Sequence, residues 1–213
     1  MARRPGAALG RIASRPAQTT TAVPAENGAY YFRLSTRPLD QAPFAEAMAR
    51  AGEAVLRRQV LAGAYRLVDA SPLAETGAPQ VHLAASGAVL PEVLAAAAEL
   101  AEEGIAAHVV DITSLDRLHA AWQRTLRHGI RTAATPSIPG ALRAAFGARA
   151  PVVTVHDAAS HAMAWLGSAL GVASVPLGVD QFGQSGSVPE LYELNDLLPG
   201  SIVNAALAAL SLT

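Results

Sequence analysis

No cysteine occurs in the 213 residues. That excludes a disulfide framework, a thiolate metal site and a cysteine nucleophile, and it is compatible with a reducing compartment. Charge is sparse: Asp, Glu, Lys and Arg make up 15% of the chain, the formal net charge is -1, and no run of basic residues follows a helix face. The electrostatic footprint of a nucleic-acid binder is therefore missing. Apolar stretches are interrupted within about a dozen residues, short of the roughly 20 needed to cross a bilayer. Neither nucleic acid nor membrane is expected as a partner. Aromatic residues are also scarce, at 5%, whereas hydrophobic residues reach 51%, much of it alanine. Small side chains of this kind let helices pack closely against a sheet, and the length suits one domain, with or without an ordered appendage.

The first residues, "MARRPGAALGRIASRPAQTTTAVPA", carry Arg3, Arg4, Arg11 and Arg15 and no acid. This is the composition of a mitochondrial transit peptide, which would place the protein in the mitochondrial matrix. Three prolines interrupt any amphipathic helix, so the expectation for residues 1–28 is a disordered or extended tail on a cytoplasmic protein. "AYYFRLST" (Ala29–Thr36) reads as a strand and "RPLDQAPF" as a linker, together giving a segment 29–43 before a domain spanning 44–213.

Within that domain a helix is expected over Ala45–Arg57. A strand with an irregularity at Gly63 should follow over Gln59–Ala70, then a turn at "SPLAETGAP". Next come strand Gln80–Ser86, a helix opened by Pro91 and closed at Gly104, and strand Ile105–Ile112. Such a strand–helix–strand unit implies parallel neighbours. A helical and loop region over Leu115–Ala150, broken at "TPSIPG", precedes strand Pro151–Asp157, helix "HAMAWLGSALG", strand Ala173–Asp180 and helices at Val188–Asn195 and Ser201–Leu212. The pattern predicts an α/β fold: a three-layer α/β/α sandwich around a mainly parallel, mixed sheet of about five strands. No internal repeat is visible.

Ligands of such sheets bind beyond the carboxyl ends of the strands, which directs attention to the loops that begin at Ser86, Asp111, His156 and Asp180. Ser86 and Gly87 stand where helix amides could hold a phosphate, yet no G-x-G-x-x-G, Walker sequence or nearby lysine supports it. His156 and Asp157 could form a base and its orienting carboxylate, with Ser185 as nucleophile. "GQSG" is not the G-x-S-x-G elbow, however, and no oxyanion-hole partner is evident. His156 and His161 are separated by about 140 degrees on a helix and cannot face one metal. His82 and His108 read as core or edge histidines.

Three stretches in order, "VHLAASGAVLPEVLAAAAELAEEGIAAHVVDITSLDRL", "PVVTVHDAASHAMAWLGSALG" and "GVDQFGQSGSVPELYELNDLLPGSIVNAALAAL", resemble the C-terminal domain of transketolase-like, thiamine-diphosphate-dependent enzymes. "YYFRLSTRPLDQAPF" and "VLAGAYRLVD" extend the likeness over about residues 29–213, and it is greatest to the decarboxylating subunit of homodimeric pyruvate dehydrogenases. "DQFGQSG" stands where that type commonly carries "DGFGRSD" and is closer to the general transketolase form, which leaves the acyl or sugar substrate open. The Gly-Asp-Gly and paired-asparagine signature that holds Mg²⁺ and the diphosphate does not occur in the chain, nor does the segment with the cofactor-activating glutamate. The resemblance thus implies a structural, dimer-forming domain, inactive alone. It would hold no cofactor or metal itself, and companion domains or a companion subunit would bind thiamine diphosphate and Mg²⁺. No catalytic residue is expected. The loop residues Ser86, Gly87, His156, Asp157, Asp180, Phe182, Gly183, Ser185 and Gly186 become candidates for an interface or a ligand. The alternative is a stand-alone regulatory module of the same fold that binds a small anion at the strand ends.

Overall fold

The computed structural model describes residues 37–212. The strand expected at Ala29–Thr36 and the tail before it lie outside the described residues. In chain order the elements are helices α1 (Ala42–Ala51) and α2 (Glu53–Ala62), strand β1 (Ala64–Val68), the single-turn helix α3 (Ser71–Ala74), β2 (Gln80–Ser86), α4 (Leu90–Glu102) and β3 (Ala106–Ile112). They continue with α5 (Leu115–Thr132), α6 (Gly140–Phe146), β4 (Val152–His156), α7 (His161–Leu170), β5 (Ser174–Leu177), α8 (Val188–Leu194) and α9 (Pro199–Ser211).

The five strands form one mixed sheet in the order β1-β3-β2-β4-β5. β2 runs parallel to β3 and β4, and β4 parallel to β5, while β1 joins β3 antiparallel with a register irregularity between Arg66 and Val68. The central strands are apolar on both faces because helices cover both. On one face α1, α2, α4 and α9 enclose Leu56, Tyr65, Leu83, Val93, Leu100 and Ile202. On the other, α5, α6 and α7 enclose Leu118, Trp122, Leu142, Phe146, Met163 and Leu166. The expected three-layer sandwich is present.

Three local expectations fail, one of them at β5, which is expected over Ala173–Asp180 and ends at Leu177. The helix placed at Ala45–Arg57 is two helices: Gly52, at φ 80, ends α1 by donating its N–H to Met48 O and opens α2 by accepting from Leu56 N. The strand expected from Gln59 begins only at Ala64, because "QVLA" completes α2, which buries Leu56 and Val60 one turn apart. Gly63, at φ 117, makes the reversal. Its N–H bonds Gln59 O, its carbonyl accepts from Thr113 N and Ser114 N, and a Cβ there would stand 2.7 Å from Ser114 O. Only glycine suits that position. The "SPLAETGAP" turn contains α3, and the break in Leu115–Ala150 runs from Ala133 to Pro139.

β5 is an edge strand. Val152 N–H bonds Ala173 O, so by alternation along a parallel pair residues 175 and 177 face β4, and Ser174 and Pro176 present their backbones outward.

Candidate functional site

The carboxyl ends of β2, β4 and β5 converge as the sequence implies, but their polar groups are turned toward one another. Ser86 donates its hydroxyl to Ile112 O at 3.2 Å, tying β2 to β3. Gly87 then turns the chain at φ 94. Ala88 N–H, the amide a phosphate would use, donates to Asp157 Oδ2 at 3.2 Å. A Cβ on Gly87 would lie 2.4 Å from Asp157 Oδ1, so the carboxylate fills the space that the missing side chain leaves. No side chain caps the start of α4; Asp157, just after β4, instead holds the amide of Ala88 in the turn that leads into it.

The next pair of loops repeats this arrangement. Asp180, just after β5, accepts from Ser160 N–H at 2.9 Å and from the Ser160 hydroxyl at 2.6 Å, beside the start of α7. Those two bonds hold its carboxyl below the usual carboxylate range. Gly178 permits the approach: a Cβ there would meet Ala158 O at 2.5 Å and Ser160 N at 2.6 Å.

Beside Asp157 lies a cluster the sequence did not announce. Arg37 donates to Glu92 Oε1 at 2.8 Å, to Glu92 Oε2 at 3.0 Å and to Ala88 O at 3.1 Å. Its guanidinium also sits 5.9 Å over the Tyr192 ring. The bond to Glu92 raises the Arg37 pKa further. Burial raises that of the Tyr192 hydroxyl, and the nearby Asp157 and Glu92 charges add to it. Arg37 opens the stretch that reads as a linker, and with its partners 51 and 55 residues away no local pattern reveals its role.

His156 is half-buried and lies 4.0 Å from Asp157 Oδ1 through Nε2; burial lowers its pKa and the carboxylate opposes this. Ser185 is exposed, and no hydrogen bond joins it to His156 or Asp157 among the described residues. The three are not assembled as a nucleophile, base and orienting acid. The segment from Gln181 to Glu190 is exposed throughout, including Gly183 and Gly186, and Phe182 is 97% exposed. None of glycines 178, 183 and 186 is among those with positive φ, so this loop turns without a left-handed glycine. The serine that caps the following helix is Ser187, in a capping box with Glu190.

The two strand histidines are buried as expected. His108 Nδ1 accepts from Ala70 N–H and lies 3.3 Å from Asp69. His82 Nε2 is 3.0 Å from Ala148 O, while its Nδ1 has no partner. Asp111, at the end of β3, is buried opposite Tyr65 of β1. Burial pushes its carboxyl up to about 7; the Tyr65 hydroxyl pulls the other way without completing a hydrogen bond. No group of three or more His, Asp or Glu side chains able to hold a metal occurs among the described residues, and no helix among them is long and apolar enough to cross a membrane.

A mixed sheet of this order, covered on both faces and closed by α8 and α9, defines an α/β domain whose strand-end loops serve one another. Residues 63–197 match the model of the transketolase-like TK C-terminal domain, and the chain belongs to that family. Among solved structures, a split-gene transketolase described as an inactive β4 tetramer is 22% identical over 71% of this chain and 42% of its own, with TM-score 0.44. Transketolase from Campylobacter jejuni is 20% identical over 68% of this chain and 18% of its own, with TM-score 0.47. The enzyme from Pichia stipitis, in complex with sedoheptulose 7-phosphate, is 17% identical over 73% and 19%, with TM-score 0.47. The chain therefore spans less than half the length of the first and under a fifth of the other two. No curated protein matches it.

Proposed function

We propose that the chain serves as the non-catalytic C-terminal domain of a thiamine-diphosphate-dependent enzyme, inactive alone and completed by companion domains or a companion subunit. The observation that carries this reading is the self-satisfied strand-end edge of a transketolase-type C-terminal domain: Asp157 sits on the Ala88 amide and Asp180 on the Ser160 amide. Two carboxylates on the best-placed amides repel an anion rather than cradle one, and so these residues do not fit a diphosphate. Thiamine diphosphate and Mg²⁺ are assigned instead to the companion domains. The same charges speak against a small-anion module at these loops. At the finer level, the likeness in "YYFRLSTRPLDQAPF" and "VLAGAYRLVD" favours the 2-oxo acid dehydrogenase type, an oxidoreductase of the homodimeric pyruvate dehydrogenase kind, working in the cytoplasm as a dimer.

Titration calorimetry of the chain with thiamine diphosphate and Mg²⁺ tests the reading. No saturable heat is expected from the chain by itself, and a pull-down from the native source should recover a thiamine-binding partner. Saturable micromolar binding by the isolated chain would overturn it.

A further inference from the structure

None of the seven residues of α8 is buried. Leu194 is 47% exposed, while Leu191 and Tyr192 are half-buried. A helix this short is marginal by itself and draws its stability from packing an apolar face. Leu191 and Leu194 are three apart and therefore neighbours on such a face, and their exposure leaves it incompletely covered. The capping box at Ser187 supports only the first turn.

Arg37 shows which part of the chain arrives there. Its guanidinium sits 5.9 Å over the Tyr192 ring and is held by Glu92 and Ala88 O. The chain thus enters the described domain beside α8, with residues 1–36 before it. The stretch directly preceding, "AYYFRLST" (Ala29–Thr36), has Tyr30, Phe32 and Leu34 in alternation with Tyr31, Arg33 and Ser35. In an extended segment these two sets point to opposite sides, and the first set is apolar. Eight extended residues reach roughly 26 Å, whereas a helix of this length is about 10 Å long, so the stretch can lie along α8 from its anchor at Arg37. The tether also gives it an effective concentration on the order of millimolar, an advantage that a separate molecule at micromolar concentration lacks.

We propose that Ala29–Thr36 folds back from Arg37 as an extended segment and covers α8, with its Tyr30, Phe32 and Leu34 face against Leu191 and Leu194 and with Arg33 turned to solvent. The contact lies within one chain, leaves Phe182 exposed and is independent of the thiamine-enzyme reading. Because the chain has no cysteine, disulfide trapping reports on introduced pairs alone. Leu194→Cys is combined in the full chain with Tyr30→Cys, Phe32→Cys or Leu34→Cys, and separately with Tyr31→Cys, Arg33→Cys or Ser35→Cys, at about 1 µM protein so that contact between chains is suppressed. Intrachain bridging should alternate along the segment, the fastest position of the apolar set closing about tenfold faster than its neighbours, since a disulfide needs Cβ atoms that face each other. A second measurement leaves Leu194 in place. A chain that starts at Arg37 keeps the bonds to Glu92 and Ala88, and its α8 amides should exchange about tenfold faster than in the full chain, with the central strands unchanged. Equal bridging from both sets would indicate a loose tether and overturn the proposal. So would bridges only between chains, no bridging at all, or α8 exchange indifferent to the truncation.

Discussion

Asp157 and Gly87 act as one device, and its two halves can be separated by substitution. Asp157→Ala removes the acceptor from the Ala88 amide and should cost about 1 kcal/mol, the usual net worth of one hydrogen bond. Gly87→Ala forces an alanine to φ 94 and drives its Cβ into the carboxylate, which should cost roughly 1–3 kcal/mol. Because part of that penalty is the collision with Asp157, Gly87→Ala should cost less in the Asp157→Ala background, and urea unfolding of all four proteins measures the coupling. Additive effects would mean that the two residues do not share this space. Asp111 offers a second test. Its folded pKa of about 7 stands above its ordinary value of 3.8. Below about pH 4 the carboxyl is protonated folded and unfolded alike. Between about 4 and 7 only the unfolded chain releases the proton, so this residue's contribution to stability falls as pH rises and is fully lost above 7. Asp111→Asn should therefore gain on the parent across that window, as read from urea midpoints near pH 4.5 and 7.5; a difference independent of pH would refute it.

Elements differ in how openly the sequence declares them. β2 matches the expected Gln80–Ser86 end for end, and β3 and β4 agree within a residue or two, since a short apolar run between glycine or proline turns leaves few alternatives. β1 is legible only in part, since its start lies five residues later than the apolar pattern suggests. "QVLAGAYRLV" is one apolar stretch, and only the left-handed Gly63 divides a helix end from a strand start inside it. The candidate site was legible to the same degree. Strand order pointed to the correct loops, yet pairings such as Asp157 with Ala88 and Arg37 with Glu92 join residues more than 50 positions apart, and sequence periodicity carries no information at that range. α8 was found correctly, although none of its residues is buried. Its start depends instead on the Ser187–Glu190 capping box, with Ser187 N–H donating to Glu190 at 2.8 Å. Ser187→Ala should free α8 by about 1 kcal/mol. Faster amide exchange confined to that helix, with little change in the global unfolding midpoint, is the expected readout.

The whole molecule exposes three large apolar side chains in the segment that follows β5: Phe182 is 97% exposed, Val188 49% and Leu194 47%. Burying such side chains contributes roughly 25 cal/mol per Å² of apolar area, which would favour association through this segment. Light scattering should therefore report a dimer at tens of micromolar, and Phe182→Ser with Val188→Ser should shift it to monomer. A truncation that tests the preceding segment belongs before Arg37, because a cut at Ala42 would also remove the Arg37 bonds to Glu92 and Ala88. A parent chain that is monomeric at that concentration would defeat the dimer. Association is not expected to run through β5. There Pro176 faces outward with no N–H to offer, and an incoming strand would meet a gap in the ladder it needs. That one ring makes this margin a poorer seed for fibrils, because templated growth of cross-β stacks on the β5 side would lack one rung of its ladder.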